Sequence, residues 1–495
     1  MFGLQKEDNT EKEFILTKKH FILFGIFFSL CFSLLLIMPV SGDDYWWHIK
    51  IGEWIVNNKA VPKTGLFSWY GLENNLSWFA HEWLAEVFIY QFASLFGGNL
   101  GGIVYLLMCV ILLGTLLYCF NYKDYLKHLG FSCIWMVIGF LAVATVCTAR
   151  PHMITLSFFC ILVYVCEKMK NPNWKRFYMF PLLTIIWANY HGGSSNITYI
   201  IPIMYFITNS FNFNFGRINS TKVAKSFRYL ILAGMNIVAI LLNPRTYELL
   251  WYPYSYTEEH AKYILEWKSP SFTNGGFALF IIIFICCIFF VTKRKIEFSD
   301  LALVGTFMLL TLKSIRFDAW LFVATTTVIY KYITEMKDKS MYSFLCYEFA
   351  LLGIGFLLYT FYSISVGDTY VQRGVSEEVI EIIKEREPEH LMNYYDFGSY
   401  LIYEEIPVFI DGRADMYTGY NFKQAAEGIY FDKEYLPEDM LKEFDFDMYL
   451  LPPTCYLAYW LKNNGYENLY EDEKAVLLVP EVSQNTSKTS SEAQN

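Results

Sequence analysis

Long apolar runs separated by short polar connections dominate the first 366 residues of the chain. A helix of about 20 apolar residues crosses the hydrocarbon core of a bilayer, so these runs predict a polytopic α-helical membrane protein with about 11 spans. The first run is longer than the apolar part of a signal peptide and is interpreted as a retained anchor. The predicted spans are 21–40, 101–120, 131–149, 152–166, 177–190, 197–210, 229–243, 274–292, 299–312, 317–331 and 343–365.

The pattern changes in the predicted first outer loop, residues 41–100. Two stretches there, 45–55 and 82–96, have helical periodicity but are short for a span, and the second carries Glu82 and Glu86 on one face. Counting 82–96 as a span would move the Lys-rich loops to the outside. Both stretches are therefore predicted to be amphipathic helices that lie in the membrane interface.

After the last predicted span, charged helical stretches alternate with short β-prone runs. This alternation predicts a small α/β domain over residues 367–480 with a largely parallel sheet, followed by a disordered polar tail, 481–495. Helices are predicted at 376–386, 397–403 and 454–463, and strands at 390–394, 407–410, 447–451, near 468 and at 475–479.

Composition and charge agree with a membrane protein and orient it. The chain is 55% hydrophobic and 19% aromatic, and its net charge of −9 includes no concentrated basic patch that would indicate nucleic-acid binding. With the N-terminus inside, the inner loops hold twenty Lys and Arg residues and the outer loops nine. This asymmetry predicts a cytoplasmic N-terminus and an extracytoplasmic C-terminal domain. The eleven cysteines form no disulfide framework or metal-binding spacing.

The rare ionisable groups next to the predicted spans gather on the outer side, whereas a pump or channel would be expected to scatter them through the bilayer. They are Asp43, Asp44, His48, His81, Glu82, Arg150, His152, His191, Arg245 and Arg316.

Asp43 and Asp44 follow the first span and come directly before a predicted helix. A carboxylate there could act as a general base toward a hydroxyl, and burial against neighbouring Trp side chains would raise its pKa toward the working range. His48 would lie one turn from Asp44. The simpler alternative is an N-cap, since Asp is favoured at helix starts.

His81 and Glu82 open the second amphipathic helix and could join Asp43 and Asp44 in holding a divalent metal or in orienting a sugar hydroxyl. The spacing matches no strong metal motif, so a hydrogen-bond network is the alternative. Whether a metal is present stays open at this point, and no other cofactor is predicted.

Cationic groups at the outer ends of later spans are candidates for binding a phosphate group. Arginine binds phosphate in a bidentate manner, although a side chain that only reaches lipid headgroups is an equal alternative for each residue alone. The candidates for contact with the donor phosphate are Arg150, His191, Arg245 and Arg316, with His48 and His81.

In the C-terminal domain, the predicted strand 407–410 leads directly into Asp411 and Arg413. The carboxyl ends of parallel strands are where α/β sheets bind ligands, which makes this pair a candidate site. A charged turn with an internal Asp–Arg pair is the favoured alternative.

Several of these segments resemble bacterial polytopic glycosyltransferase-like proteins of the GT-C superfamily. The similar segments are Asp44-Tyr-Trp-Trp-His48, His81-Glu-Trp-Leu-Ala-Glu86, Ala149-Arg-Pro-His152, Trp187-Ala-Asn-Tyr-His-Gly-Gly193, Asn243-Pro-Arg245 and Asn393-Tyr-Tyr-Asp-Phe-Gly-Ser-Tyr-Leu-Ile402 with Phe409-Ile-Asp-Gly-Arg413.

The resemblance implies an integral enzyme of the bacterial cell membrane that moves a sugar from a polyprenyl-phosphate carrier to an extracytoplasmic lipid, glycan or protein. It also implies that an acidic residue of the first outer loop is the base, here Asp44 or Asp43, with Glu82 in support. Many members carry an Asp-Glu or Asp-x-Asp signature instead of adjacent aspartates, which leaves the choice between the two open. The alternatives are a transporter or flippase of lipid-linked glycan and a non-catalytic envelope-assembly protein.

Overall fold

A computed structural model describes residues 44–144, 146–254, 265–271, 276–291, 295–333, 375–417, 441 and 444–481 of the chain. Asp43, the predicted spans 21–40 and 343–365 and the tail from residue 482 onward lie outside the described residues.

The described part of the chain before residue 334 is mostly helical. Its helices are α1 Tyr45–Asn58, α2 Trp69–Glu73, α3 Trp83–Phe96, α4 Gly98–Lys127, α5 Leu129–Ala144, α6 His152–Lys168, α7 Phe180–Tyr190, α8 Ile197–Asn209, α9 Arg228–Ile240, α10 Glu248–Trp251, α11 Gly276–Val291, α12 Phe298–Lys313 and α13 Asp318–Ile333. Each predicted span between residues 101 and 331 coincides with one of these helices. Among the described residues, Gly98–Phe120 of α4 is the one helix long and apolar enough to cross a bilayer.

The two helices predicted in the first loop are α1 and α3, and they cross at very short range. A Cβ atom on Gly52 would lie 2.1 Å from the carbonyl oxygen of Glu86 and 2.8 Å from Tyr90 Cβ. Only glycine allows two helix backbones to approach this closely, so Gly52 determines how closely α1 packs against α3.

We expect Gly52→Ala to lower the free energy of unfolding by about 1–3 kcal/mol, because the added methyl group meets backbone atoms of a neighbouring helix that cannot move alone. Thermal unfolding in detergent measures the effect. Gly305→Ala in α12 is the matched control, since nothing lies within 4 Å of its added Cβ. Equal unfolding temperatures for the two variants would contradict the close crossing.

A small three-stranded sheet, which the sequence analysis did not predict, joins two connections between helices. Its strands are β1 Phe213–Phe215, β2 Ile218–Ser220 and β3 Ile296–Glu297, with β1–β2 antiparallel and β2–β3 parallel. The Lys331 ammonium group lies nearby, 2.9 Å from Glu167 and 3.0 Å from Asp300. The charge pattern predicts that both connections lie on the same side of the membrane, and in the structure the two connections pair with each other.

The C-terminal region contains α14 Glu377–Arg386, β4 Leu391–Asn393, α15 Gly398–Tyr403, β5 Met448–Leu451, α16 Tyr456–Asn463, β6 Tyr466–Glu471 and β7 Val476–Pro480. These elements lie where the sequence predicted them. The prediction of a largely parallel sheet is wrong: the strand order is β4-β5-β7-β6, and only β4–β5 is parallel. Strands β6 and β7 are joined by a turn too short for a crossover, which makes them an antiparallel hairpin.

The predicted strand 407–410 does not belong to this sheet. Its residue Val408 instead pairs with Ser68 of the first loop, and the two backbone hydrogen bonds Trp69 N to Val408 O and Val408 N to Phe67 O are both 3.0 Å long. The Trp69 indole also donates to the carbonyl of Leu391 over 3.0 Å. The first loop and the C-terminal region are therefore bound together by main-chain hydrogen bonds and a shared core.

Candidate active site

The carboxylate of Asp44 lies at the first turn of α1 but does not cap the helix, because its side chain makes no capping hydrogen bond. Its Oδ2 atom pairs with the guanidinium group of Arg150 instead. Its Oδ1 atom accepts a hydrogen bond from the Trp47 indole over 3.2 Å. Burial raises the pKa of Asp44, and the positive charge of Arg150 opposes that shift. The N-cap alternative is thus not what the structure shows.

Arg150 lies between two carboxylates. Besides Asp44, it contacts Glu266 through Nη1 at 3.3 Å. Burial would raise the pKa of Glu266, but Arg150 and then Arg316 outweigh it and lower that pKa to about 2. Because both partners are acids, Arg150 orients and neutralises the carboxylates around it.

Next to this pair, one carboxylate faces two histidines. The Glu82 Oε1 atom lies 3.3 Å from His191 Nε2 and 3.6 Å from His81 Nε2. The Nδ1 atom of each ring is already bound, in His81 to the Phe79 carbonyl at 3.2 Å and in His191 to the Ser194 hydroxyl at 2.8 Å. Both rings therefore direct Nε2 at the same carboxylate oxygen.

This triad could hold a transition-metal ion. The ligand atoms of His81, Glu82 and His191 all lie within 4.8 Å of one another. Two ligands about 2.1 Å from a tetrahedral zinc ion are about 3.4 Å apart, and a His₂Glu set is one that catalytic zinc sites use. Outer partners on Nδ1 are also typical of metal-binding histidines. The grouping differs from the predicted one, since His191 takes the place expected for Asp44.

The protonation states of the two imidazoles suit metal binding, whereas Glu82 must first lose a proton. Burial raises the pKa of Glu82 to about 8, whereas the nearby Arg150 lowers it to a smaller extent. Burial also lowers the pKa of His81 to about 4 and that of His191 well below its usual value. Both imidazoles are therefore neutral at pH 7, as metal ligands must be.

His48 and Glu86 lie behind the triad, on the facing sides of α1 and α3. His48 Nε2 is 3.8 Å from Glu82, and His48 Nδ1 is 3.8 Å from Glu86. Both carboxylate oxygens of Glu86 are buried without a hydrogen-bond partner among the described residues. His48 thus lies between Glu86 and Glu82, and its contact with a donor phosphate stays a prediction.

The two remaining arginine candidates have different surroundings. Arg245 donates to the Trp78 carbonyl over 2.6 Å and lies over the Phe79 ring, so it supports the loop that carries His81. Arg316 lies over the Trp267 ring at 5.1 Å. Burial is the main cause of the lowered pKa values of His81 and His191, and the charge of Arg316 adds to both shifts, so Arg316 lies within electrostatic range of the triad.

Asp411 and Arg413 form the internal pair that the sequence analysis favoured as the alternative. Arg413 donates to Asp411 from Nε at 2.8 Å and from Nη2 at 2.7 Å, and both side chains are fully buried. The Tyr417 hydroxyl donates to the same carboxylate, and Arg413 lies over the Trp78 ring at 5.0 Å. This pair is a structural support beside the site and not an open ligand-binding pair.

Sequence reasoning did not select Glu266 or Asp415. Glu266 lies in a short 3-10 helix, Leu265–Trp267, with no motif around it, and its contact with Arg150 shows that it belongs to the site. Asp415 accepts a hydrogen bond from the Tyr252 hydroxyl over 2.9 Å, and burial raises its pKa to about 6. The Asp-Gly-Arg-Ala-Asp run carried a signal for Asp415, two residues after the chosen Arg413.

Comparison with known proteins identifies the fold. The chain resembles ArnT from Cupriavidus metallidurans bound to undecaprenyl phosphate, with a TM-score of 0.54 and 13% identity over 92% of this chain and 97% of that chain; the apo structure gives the same values. It also resembles the oligosaccharyltransferase of Archaeoglobus fulgidus tethered with an acceptor peptide, with a TM-score of 0.50 and 11% identity over 88% of this chain and 69% of that chain. No protein-family model and no curated protein sequence matches. The chain has a GT-C-like fold.

Proposed function

We propose that the protein is a membrane glycosyltransferase that moves a sugar from a polyprenyl-phosphate-linked donor to a lipid, glycan or protein acceptor at the extracytoplasmic face. The observation that carries the proposal is the Asp44–Arg150 pair beside the His81–Glu82–His191 triad. This cluster of acids, cations and neutral imidazoles lies in a fold shared with ArnT bound to undecaprenyl phosphate.

The proposed reaction is a displacement at the anomeric carbon. The acceptor hydroxyl oxygen forms the new bond to that carbon, and the bond to the phosphate oxygen breaks. The electron pair leaves with the polyprenyl phosphate, and the hydroxyl proton passes to the Asp44 carboxylate. Asp44 can accept it because burial raises its pKa while Arg150 keeps it oriented. Asp44 is the base that we propose, because its carboxylate pairs with Arg150 and accepts a hydrogen bond from Trp47.

Arg316 is the guanidinium group best placed for the leaving phosphate. Unlike Arg150, it makes no ion pair with an acid among the described residues, and its charge reaches the triad. A cation there would stabilise the charge that develops on the phosphate as the glycosidic bond breaks. Arg150 is instead assigned to orienting Asp44 and Glu266.

If a divalent metal ion is bound, His81, Glu82 and His191 are the residues that would hold it, and it would supply a Lewis acid for the donor phosphate. The chain's own contribution is to keep both imidazoles neutral and to aim them at Glu82.

The topology that accompanies the proposal is the one inferred from charge. It consists of a membrane domain over residues 1–366 with about 11 spans, a cytoplasmic N-terminus and an extracytoplasmic region over 367–480. The first-loop helices α1 and α3 would lie in the outer interface and carry the site.

Purified protein in liposomes, supplied with radiolabelled polyprenyl-phosphate sugars and an acceptor extract, tests the proposal. We expect label to leave the lipid donor and appear in the acceptor. Intact donor that crosses the bilayer would identify a flippase instead. Donor that neither reacts nor crosses, with any acceptor fraction or metal ion, would favour a non-catalytic assembly protein.

We expect Arg316→Ala to raise the KM for the donor by about 10- to 100-fold, equivalent to about 1.4–2.7 kcal/mol of lost phosphate binding. Initial rates against donor concentration measure it. Arg245→Ala is the matched control, because Arg245 contacts the loop and not the triad. A larger effect on donor KM for Arg245→Ala than for Arg316→Ala would reverse the two assignments.

A further inference from the structure

The turn Asp411-Gly412-Arg413 of the C-terminal region lies directly against Asp44. A Cβ atom on Gly412 would be 2.1 Å from Asp44 Oδ1 and 3.2 Å from Trp47 Nε1. The Gly412 backbone therefore lies against Oδ1 of the Asp44 carboxylate, whereas Arg150 pairs with the other oxygen, Oδ2. At position 412 there is room only for the hydrogen atom of glycine between this turn and the Asp44 carboxylate.

The turn is held in place by packing against α15 and by hydrogen bonds between its own residues. A Cβ atom on Gly398 would lie 2.3 Å from the Ile410 carbonyl oxygen, so α15 presses on the start of the turn. The hydroxyl of the next residue, Ser399, accepts a hydrogen bond from the Trp47 backbone N–H over 3.1 Å. Within the turn, the buried Asp411–Arg413 pair and the Tyr417 hydroxyl fix the backbone.

These contacts hold the turn in a fixed position against the Asp44 side chain. Asp has only two side-chain torsions, and the Asp44 carboxylate is bounded by Arg150, the Trp47 indole and Gly412. A carboxylate held on three sides keeps its reactive oxygen in one place, which proximity-based catalysis requires.

We infer that Gly412 is a positioning residue for the proposed reaction: the C-terminal turn that carries it confines the Asp44 carboxylate in the orientation in which it accepts the acceptor's proton. The inference rests on the proposed function. It gives the C-terminal region a part in the reaction, where the sequence analysis had considered only a candidate ligand site or a charged turn.

The glycine can be replaced without backbone strain. Its φ is not in the left-handed region, since the glycines with positive φ among the described residues are Gly97, Gly216 and Gly465. The first atom that an added methyl group meets is the Asp44 carboxylate oxygen, which can rotate away. Gly412→Ala is therefore expected to displace the base more than it disturbs the fold.

A double-mutant cycle tests this positioning role. We expect Gly412→Ala alone to lower kcat by at least 10-fold with little change in donor KM. In an Asp44→Ala background, where the obstructed carboxylate is absent, the same substitution should have no further effect. Product counted by mass spectrometry over long incubations detects the slow variants, and Gly305→Ala serves as the neutral control.

Tyr417→Phe provides a second variant that adds no atoms and removes only the hydroxyl bound to Asp411. It should lower kcat several-fold in the wild-type background and not in the Asp44→Ala background. Equal losses in both backgrounds, or no loss for Gly412→Ala in the wild type, would overturn the positioning role. Wild-type activity for Asp44→Ala itself would instead refute Asp44 as the base, so the two failures are distinguishable.

Discussion

We expect the Asp44→Asn variant to transfer sugar about 10³-fold more slowly than the wild type, with donor KM changed by less than about 3-fold. Asn has the shape of Asp but cannot accept the acceptor's proton. Its amide oxygen can still accept from the Trp47 indole, and Arg150 keeps Glu266 as an ionic partner. The variant should therefore fold, and it loses the ion pair with Arg150 together with the proton-accepting group.

Glu53→Gln is the control for this experiment. Glu53 lies on the same helix as the one that follows Asp44, and the substitution likewise removes one negative charge. The Glu53 carboxylate pairs with Lys50 away from the site. Its transfer rate should stay within about 2-fold of the wild type, because a half-exposed ion pair of this kind contributes little. A wild-type rate for purified Asp44→Asn would remove Asp44 from the role of base.

The second large effect concerns metal binding to the His81–Glu82–His191 triad. We expect protein stripped with a chelator to gain about 2.7 kcal/mol of stability at Zn²⁺ concentrations near 100 times the dissociation constant. Thermal unfolding in detergent measures this gain without reference to activity. Glu82→Gln and His191→Ala should each abolish it.

The Zn²⁺ affinity should rise between pH 6 and pH 8. Burial raises the pKa of Glu82 to about 8, so this carboxyl holds a proton at pH 7 that the metal must displace. His390→Ala is the control, because His390 is a partly exposed histidine that pairs with Glu73 elsewhere. An undiminished Zn²⁺ shift in Glu82→Gln would assign the metal to other residues.

The sequence was sufficient to predict where the helices lie, because apolar runs and helical periodicity are local signals. It also grouped Asp44 with Arg150 through the argument that both lie at the same membrane face, and the structure brings them into contact. The charge pattern predicts the face of the membrane on which each group lies. It does not predict which groups on that face are in contact.

The details that the sequence could not supply depend on contacts between distant segments. His191 was predicted to contact the donor phosphate because it follows a span, and nothing in the sequence indicated that its ring bonds the Ser194 hydroxyl and faces Glu82. Val408 was expected in a sheet, yet its backbone pairs with the carbonyl of Phe67 and the N–H of Trp69 in the first loop. Gly412 carried no chemical signal at all, since its contribution is the absence of a side chain.

The residues that surround the Asp44 carboxylate are translated at very different stages of synthesis. Arg150 is made early, Glu266 midway, and the turn at Gly412 only near the end of translation. A ribosome that stops before residue 411 therefore releases a chain whose base lacks one of its walls. If Asp44 is the base, premature termination there would yield a membrane protein whose base is no longer confined and whose transfer rate is lower.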